Sequence, residues 1–346
     1  MSMKRFAVSF LCVALALLLL VSGVVLLIDP LYQYHLPYMG LSMPLFLDRY
    51  QGPGLAKNYE YDAVIVGSSM VRNCRASWFS KDFSCRALKL PLSAGYMTDF
   101  DALLTTVFSA GSPRYVFFNL DLYALSEKPG YQQSELPMYL YDTDKSNDVQ
   151  YLFNKDVLLD VFPQYIEGCQ NPEPFEDAFS FIDEYPFGKA AALRTYGHTA
   201  PAEKGAQQGA DALLAPAAEN LACLTKHIAA HPETEFVVFV PPYSLLYWDS
   251  YIRQGQHDAM HGALGSATET LLGYGNVRVF SFLDMEEVVT NLDNYMDNMH
   301  FTREINELVV EKMAAGEYEL TRENYKERLA ATKDFTWNYD YARLFQ

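Results

Sequence analysis

The sequence predicts an α/β protein: a three-layer sandwich around a mainly parallel, five-stranded sheet, preceded by one N-terminal transmembrane helix. Three observations predict this fold class. A long uncharged apolar run opens the chain, five short apolar runs follow it, and stretches with helical apolar spacing separate most of them. Strands that alternate with helices favour a parallel sheet covered on both faces. Half of the 346 residues are hydrophobic, which is enough for a sizeable core.

The N-terminal apolar run covers residues 6–28, after Lys4 and Arg5 and before Asp29. A helix of this length crosses a hydrocarbon core of about 30 Å. Positive charge before the run predicts that the N-terminus stays inside and that the rest of the chain lies outside the cytoplasm. A cleaved signal peptide is the alternative, but such segments have a shorter apolar core and a small-residue cleavage site. We therefore expect residues 1–28 to be a single-pass anchor in the bilayer.

The remaining chain divides by composition and pattern. Residues 29–60, rich in Pro, Tyr and Gly, are interpreted as a juxtamembrane stalk. An α/β domain is expected over 61–320 and a helical tail over 321–346. Residues 124–208 interrupt the alternation and are interpreted as an insertion over the carboxyl edge of the sheet, where α/β proteins bind ligands, or as a separate domain. The five strands are expected at residues 62–67, 86–90, 114–118, 235–240 and 276–280.

Charge and cysteine content narrow the classes of partner. The formal net charge of −17 argues against a nucleic-acid partner, because phosphate binding needs a basic surface. An anionic substrate would need a local cationic patch. Four cysteines follow the apolar run, and they are either disulfide-bonded in one of three pairings or free thiols: Cys74, Cys85, Cys169 and Cys223. Their spacing does not resemble a metal-binding knuckle, so no metal is expected there.

Ser69 is the candidate nucleophile. The first expected strand runs directly into Gly67-Ser68-Ser69-Met70. A serine just past the end of a buried strand lies at the functional edge of the sheet, and the amides that open a following helix favour a developing oxyanion. A helix-capping serine is the alternative, since serine is a preferred capping residue.

Asp297 and His300 are the second candidate element. A serine nucleophile needs a base to take its proton, and a histidine base needs a carboxylate to orient it. In Asp297-Asn298-Met299-His300, a spacing of three residues in a loop before a helix can place both side chains on one side of a turn. A capping Asp and a surface His are the alternative.

Taken together, these two elements resemble the first and last blocks of the SGNH (GDSL-like) hydrolases, over roughly residues 60–315. Ser69 matches the nucleophile of the G-D-S-L-like block, with Ser68 where Asp is common, and Asp297 and His300 match the D-x-x-H block. The resemblance implies a flavodoxin-like three-layer fold. It also implies a Ser-His-Asp triad that needs no metal and no organic cofactor.

The two intermediate blocks of that family match less closely. Gly95 stands where the family places a glycine whose amide helps to form the oxyanion hole, although an ordinary turn glycine is the alternative. The third block supplies an Asn after the third strand, and here Asp121 takes that place. An ionised carboxylate cannot donate a hydrogen bond, whereas Asn119 faces the same side two positions earlier. The resemblance thus implies an oxyanion hole from the Ser69 and Gly95 amides, with Asn119 as the alternative to Asp121.

The details resemble one subset of the family, the membrane-anchored D-alanyl-lipoteichoic-acid transfer and alginate O-acetylation proteins of bacterial surfaces. Gly67-Ser68-Ser69 and Pro241-Pro242-Tyr243 carry this likeness, together with the N-terminal anchor. It implies an extracytoplasmic acyl-ester transferase or esterase at the bacterial cell membrane that modifies a cell-envelope polysaccharide or teichoic-acid-like polymer. A membrane-bound O-acyltransferase is the implied partner. The alternative is a non-catalytic glycan-binding or scaffolding subunit of such a system.

Two further patterns compete with the triad. His257 and His261 have the spacing of a helical zinc motif, with Asp258 in place of its glutamate, but no third ligand is evident, and a solvated helix face is the favoured interpretation. The many aromatic residues in 131–187 are typical either of a sugar-binding groove or of packing within an insertion, and packing is favoured.

Overall fold

The computed structural model describes residues 3–38 and 42–346. Within these ranges the strands are β1 (Ala63–Gly67), β2 (Ala87–Pro91), β3 (Tyr115–Asn119), β4 (Glu235–Val240), β5 (Val277–Ser281) and β6 (Glu319–Leu320). The α-helices are α1 (Met3–Ile28), α2 (Asp48–Asn58), α3 (Ala76–Asp82), α4 (Met97–Ala110), α5 (Leu122–Ser126), α6 (Met138–Tyr141), α7 (Val149–Leu152), α8 (Phe162–Gln170), α9 (Lys189–Tyr196), α10 (Leu214–Ala230), α11 (Leu245–Arg253), α12 (His257–Leu271), α13 (Glu286–Val289), α14 (Arg303–Ala314) and α15 (Tyr325–Asn338).

A single sheet with the strand order β2-β1-β3-β4-β5-β6 organises the fold. The first five strands pair in parallel, for example Val64 with Leu88 and Val66 with Phe118. Every residue of β1, β2 and β3 is buried, as expected for strands covered on both faces. The predicted α/β class with a mainly parallel sheet is therefore confirmed.

The helices form two groups on the two faces of the sheet. The chain moves one way from β1 to β2 and the opposite way from β2 through β5, so right-handed crossovers place α3 on one face and α4, α10 and α12 on the other. The packing agrees, because α10 contacts α4 and α12 while α14 contacts α3. The strand order over the first five strands is that of flavodoxin-like folds, whose ligands bind at the carboxyl ends of the strands.

The predicted number of strands is wrong, because the sheet has six strands and not five. The missed strand, β6, has two residues and pairs antiparallel with β5 at the edge of the sheet. Such a short strand has no apolar periodicity to detect. Tertiary contacts hold it instead: Arg278 makes two hydrogen bonds of 2.9 and 2.8 Å with Glu319, and Ser281 N donates to Tyr318 O at 3.1 Å.

The chain separates into two compact units. Unit 1 consists of Met1–Tyr59 and Leu136–Ala178, and unit 2 consists of Glu60–Glu135 and Phe179–Gln346. The sheet and its helices belong to unit 2. Unit 1 joins the segment interpreted as a stalk to the middle of the predicted insertion.

Helix α1 in unit 1 is long and apolar enough to cross a membrane, with 26 residues and a mean hydropathy of 3.1 over its most apolar window. Length and composition of this kind suit a membrane anchor and a signal sequence alike. The predicted N-terminal apolar helix is therefore confirmed.

Asp29 fixes the end of α1 within unit 1. Its carboxylate accepts hydrogen bonds from the backbone amides of Gln33, Tyr34 and His35 at 3.0, 2.6 and 2.9 Å. It also accepts one from the hydroxyl of Tyr151 in α7 at 2.7 Å. A fully buried carboxylate with four donors holds the turn after α1 and the helix α7 in one arrangement.

Candidate active site

The candidate site lies in unit 2, at the carboxyl edge of the sheet. Ser69 follows β1, Gly95 follows β2, and Asn119 is the last residue of β3. Tyr243 follows β4, and the loop with Asp297 and His300 lies between β5 and α14. Because these strands are parallel, their carboxyl ends share one edge of the sheet.

The structure brings Ser69, His300 and Asp297 into one chain of short contacts. Ser69 Oγ lies 2.7 Å from His300 Nε2, although the two residues are 231 positions apart in sequence. His300 Nδ1 lies 2.6 Å from Asp297 Oδ2. The Ser69 side chain is part-buried, and the side chains of His300 and Asp297 are 19% and 13% exposed. The arrangement therefore has the geometry of a nucleophile, a base and an orienting carboxylate.

The loop around His300 preorganises the carboxylate. Asp297 Oδ1 accepts hydrogen bonds from the amides of Met299 and His300, each at 2.7 Å, so the second carboxylate oxygen is free to face the imidazole. Burial alone would raise the pKa of Asp297, but the hydrogen bonds and proximity of His300 outweigh it and hold that pKa below its ordinary value. Asp297 is therefore ionised at neutral pH.

A tight 3₁₀ turn, Ser69–Val71, presents the nucleophile. Ser68 caps this turn and accepts a hydrogen bond from Met70 N at 3.3 Å. A Cβ atom on Gly67 would lie 2.7 Å from Asn119 Cβ, so only glycine fits between β1 and β3 at this point. The buried Lys89 ammonium holds the end of the turn by donating to the carbonyls of Arg72 and Cys74 at 2.7 and 2.8 Å.

The sequence reasoning missed a second set of residues beside His300. Arg72 Nε donates to Phe179 O at 2.5 Å, and its guanidinium lies 5.2 Å from the centre of the Phe181 ring. Asn73 Oδ1 accepts from Phe181 N at 3.1 Å. The Phe181 ring meets the His300 ring edge to face, with centroids 5.4 Å apart. Arg72 and Asn73 thus fasten the Phe179–Phe181 segment, which packs on the candidate base.

The signal for this segment was weak in the sequence. Phe179 and Phe181 lie within the aromatic insertion and about 110 residues beyond Arg72 and Asn73, and no periodic pattern relates the two sets. Phe179 adopts a positive φ of 61°, which is uncommon for a residue other than glycine. The surrounding hydrogen bonds maintain this conformation.

Asn119 and Asp121, the two candidates for the third block, are both fully buried. Asp121 Oδ1 accepts from the Tyr243 hydroxyl at 2.5 Å and lies 3.5 Å from Asn119 Nδ2. Asn119 Oδ1 and Asp121 Oδ2 accept no hydrogen bond from any described residue. An oxyanion donor must face the reacting carbonyl, and in this arrangement neither side chain reaches the surface of the site.

Burial has a large effect on Asp121. It raises the pKa of this carboxyl to about 6, against the opposing influence of Ser68, Tyr243 and His300. The charged form is therefore disfavoured in the folded protein. The Tyr243 hydroxyl is the shortest contact that partly compensates for this loss of solvation.

The Gly95 amide, which was expected to donate to the oxyanion, has another hydrogen-bond partner in the structure. Its N–H donates to Leu92 O at 2.8 Å within a turn, and its own carbonyl accepts from the Tyr123 hydroxyl at 3.1 Å. The Gly95 amide is thus engaged in this structure. Ser69 opens its 3₁₀ turn, a position where a helix provides no internal acceptor for the amide, so the Ser69 N–H is the donor best placed for an oxyanion.

The competing histidine pair has a different environment. His257 and His261 are buried, and their Nε2 atoms lie 2.9 and 3.1 Å from the Thr336 hydroxyl. His261 also stacks on Trp248 with centroids 4.2 Å apart. No cluster of three potential metal-binding side chains occurs in the described ranges. The pair packs α12 against α15, rather than forming the solvated face favoured from the sequence.

All five cysteines in the described residues are free thiols, including the fully buried Cys74, whose pKa burial raises to about 12. Cys74 follows the nucleophile turn by three residues, and its Sγ lies 3.1 Å from Asn306 Oδ1. A thiol with a raised pKa is a poor nucleophile at neutral pH. Ser69, in contrast, lies within hydrogen-bond distance of an imidazole that could accept its proton.

No family model matches the chain, and no curated protein matches it. Among solved structures, the chain is similar to a Streptococcus pneumonia protein provisionally described as a platelet activating factor. The identity is 10%, the TM-score is 0.40, and the match covers 78% of this chain and 89% of the other. The function of this chain therefore has to be inferred from its own site.

Proposed function

We propose that this protein is a membrane-anchored serine acyl-ester transferase or esterase of the SGNH type, with Ser69 as nucleophile. The single observation that carries the proposal is the continuous contact from Ser69 Oγ through the His300 imidazole to the Asp297 carboxylate, over 2.7 and 2.6 Å. The order of these residues along the chain, and their places after β1 and before α14, also resemble the first and last SGNH blocks.

The proposed reaction starts when Ser69 Oγ attacks the acyl carbonyl and its proton moves to His300 Nε2. Collapse of the tetrahedral intermediate breaks the ester C–O bond, and the imidazolium returns the proton to the departing alkoxide. An acceptor hydroxyl then gives its proton to His300 Nε2 and attacks the acyl-enzyme, the bond between the acyl carbon and Ser69 Oγ breaks, and the imidazolium returns the proton to Ser69 Oγ. Asp297 holds the imidazole in the required tautomer and stabilises its cationic form.

Negative charge on the intermediate needs donors. The Ser69 amide is the first, because it opens the 3₁₀ turn. We propose that Gly95, whose amide closes a turn with Leu92 in the free protein, turns toward the carbonyl when substrate binds. Catalytic hydrogen bonds that form only in the substrate complex are common in enzymes of this kind.

The proposed substrate is an acyl ester of a cell-envelope polysaccharide or a teichoic-acid-like polymer, outside the cytoplasm. Support comes from the likeness of Gly67-Ser68-Ser69 to surface-acylation proteins and from the apolar helix α1. A membrane-bound O-acyltransferase is the proposed partner. When the acceptor is water the protein acts as an esterase, and when it is a polymer hydroxyl the protein acts as a transferase.

A fluorophosphonate probe tests the nucleophile directly. The full chain in detergent is treated with the probe, and the modified residue is identified by mass spectrometry. We expect modification at Ser69 that is lost in Ser69→Ala and in His300→Ala. Ser77 is an exposed serine that serves as a matched control, so Ser77→Ala should label like the wild type. The triad would be excluded if the folded wild-type protein did not react with the probe, or if the His300→Ala variant reacted as fast as the wild type.

A second candidate function is a non-catalytic subunit that binds a glycan or scaffolds an acyltransferase. One observation favours it: Asn119 and Asp121 are fully buried, and the Gly95 amide is engaged, so two of the expected oxyanion contributions are absent from the surface of the described site. This function predicts that polymer acylation in cells survives Ser69→Ala. The catalytic proposal predicts that it is lost at unchanged protein level.

A further inference from the structure

Exposed apolar side chains are concentrated in unit 1. Outside α1, nine large apolar or aromatic side chains of the described residues are strongly exposed, and seven belong to unit 1, although unit 2 is much the larger. Scattered single apolar residues on a surface are ordinary, but a concentration of them marks an interaction surface. The seven are Tyr38, Tyr50, Met138, Val149, Phe153, Leu159 and Ile166.

The most exposed of these lie on one face of a helix. A π-helical turn, Val157–Val161, leads directly into α8, and Leu159 and Ile166 are 71% and 51% exposed. With the exposed Pro163 between them, they follow the spacing of four and three residues that lines up side chains on a helix. We call Leu159, Pro163 and Ile166 the apolar stripe.

The inner side of the same helix is already satisfied. Val157, Val161 and Tyr165 are buried. Beside the apolar stripe, displaced by one residue, runs a polar row of Asp160, Gln164 and Glu167, all exposed. The helix therefore has a buried face, a polar face and a third face that is apolar and exposed, so the exposed apolar residues are not required for the core of unit 1.

Helix α7, which precedes this helix in the chain, lies close to the end of α1. Tyr151 of α7 donates to Asp29, the residue that follows α1, at 2.7 Å, and α7 contacts α1 directly. Val149 and Phe153, at the two ends of α7, are 54% and 40% exposed. The exposed apolar surface of α1 thus continues onto α7, which leads within five residues to the π-helical turn.

We propose that unit 1 rests in the membrane interface, with the apolar stripe and the exposed residues of α7 inserted at the boundary between lipid headgroups and acyl chains. The inference rests on α1 being retained in the bilayer, as the proposed function requires. Apolar burial carries the contact, because the neighbouring row includes Asp160 and Glu167 and the chain has a net charge of −17. An uncharged or zwitterionic lipid surface therefore suits it better than an anionic one.

Photo-crosslinking to lipid tests this placement. The full chain is reconstituted in phosphatidylcholine nanodiscs with benzoylphenylalanine in place of Leu159 or Ile166, and illuminated protein is examined by mass spectrometry for lipid adducts. Leu18 in α1 is the positive control, and Gln164 in the polar row is the matched negative control. Exposed positions tolerate such replacements, so folding is expected to be unchanged.

We expect lipid adducts at Leu159 and Ile166 in yields close to those at Leu18 and several-fold above those at Gln164. Adducts at Leu18 alone, equal yields at Leu159 and Gln164, or crosslinks from Leu159 to another protein in native membranes would each overturn the proposal. Absence of lipid adducts at Leu18 would overturn the proposal as well, because it would show that α1 is not retained in the bilayer. Fluorophosphonate labelling of Ser69 is measured on the same samples. Loss of labelling with lipid adducts retained would count against the proposed catalytic function, whereas labelling without adducts at Leu159 and Ile166 would count against the membrane contact.

Discussion

Two aspartates near the same edge of the sheet have opposite environments. Asp297 is 13% exposed, accepts three hydrogen bonds from the His300 loop and has a lowered pKa. Asp121 is fully buried, has one oxygen without a donor in the described structure and has a pKa raised to about 6. Neighbouring donors thus favour the charged form of one carboxyl, and loss of water disfavours the charged form of the other.

Because of these opposite environments, only one of the two carboxyls can serve the proposed chemistry. An orienting group must stay ionised while the imidazole gains a proton, and Asp297 meets this requirement. The Asp121 carboxyl is neutral in mild acid, and its charged form is poorly solvated because the side chain is buried. Two carboxyls whose pKa values are pushed apart commonly have separate roles, and here we assign orientation to Asp297 and internal packing to Asp121.

The largest expected effect comes from Asp297→Asn. An amide at this position favours the wrong imidazole tautomer, so we expect the rate of fluorophosphonate labelling at Ser69 to fall by about 10³- to 10⁴-fold. The second-order labelling rate measures this loss. Asp293, an exposed aspartate of the same loop, is the control, and Asp293→Asn should label within about twofold of the wild type because such surface changes are nearly neutral. Equal rates for both variants would remove the distinction between the two aspartates.

Asp121→Asn tests the other side of the comparison. The folded pKa is raised, so the folded state holds its proton up to about pH 6 while the unfolded state loses it near pH 3.8. Wild-type stability attributable to this group is therefore present below pH 3.8 and is lost as the pH rises to about 6. Relative to wild type, the variant should gain up to about 3 kcal/mol between these limits, since one pKa unit corresponds to about 1.4 kcal/mol.

Urea unfolding at several pH values measures this gain. Asn can still accept the Tyr243 hydrogen bond, and labelling at Ser69 should change little. A stability difference that is independent of pH would show that Asp121 has the same pKa in the folded and unfolded states, and it would contradict the raised folded pKa.

Arg72→Lys tests whether the residues packed on His300 affect its reactivity as well as Asp297 does. Lysine keeps the charge but cannot reproduce the planar contacts with Phe179 and Phe181, so the ring beside His300 loses its support. We expect labelling at Ser69 to slow by about tenfold, equivalent to about 1.4 kcal/mol. Phe181→Leu should give a similar decrease and a shifted pH profile. Arg86→Lys, at an exposed site, is the control, and a lower melting temperature without a change in pH profile would indicate a purely structural role.

The smallest expected effect concerns the buried histidines. Burial lowers the pKa of His257 and His261 below the ordinary value of 6.5, so the unfolded state binds protons more readily and stability is lost as the pH falls below 6.5. In His261→Phe, which retains an aromatic ring beside Trp248, this loss should be smaller by up to about 1.4 kcal/mol per pH unit. Unfolding at pH 7.5 and 5.5 compares the two proteins. Identical acid sensitivity of the two proteins would mean that His261 has the same pKa in the folded and unfolded states.

The sequence predicted the elements whose pattern is local. The runs in β1, β3 and β4 were recognisable because buried parallel strands are continuously apolar. Ser69 was recognisable because it follows such a strand in a short motif, and His300 because it ends a D-x-x-H motif just before a helix. The two residues of β6 were missed because their pairing depends on Arg278 and Glu319, which are 41 positions apart.

The amino-acid sequence was enough to predict the class of fold, the apolar N-terminal helix and the candidate residues Ser69, Asp297 and His300. The fold class and the helix follow from composition and periodicity, whereas the combination of the three site residues rests on two short motifs together with the resemblance to the SGNH blocks. Three features became visible only in the folded chain: Asp121 and Asn119 are buried, Arg72 holds Phe181 against His300, and α8 leaves an apolar face exposed. Burial and hydrogen-bond partners depend on residues brought together from distant parts of the chain, and these set pKa, orientation and access.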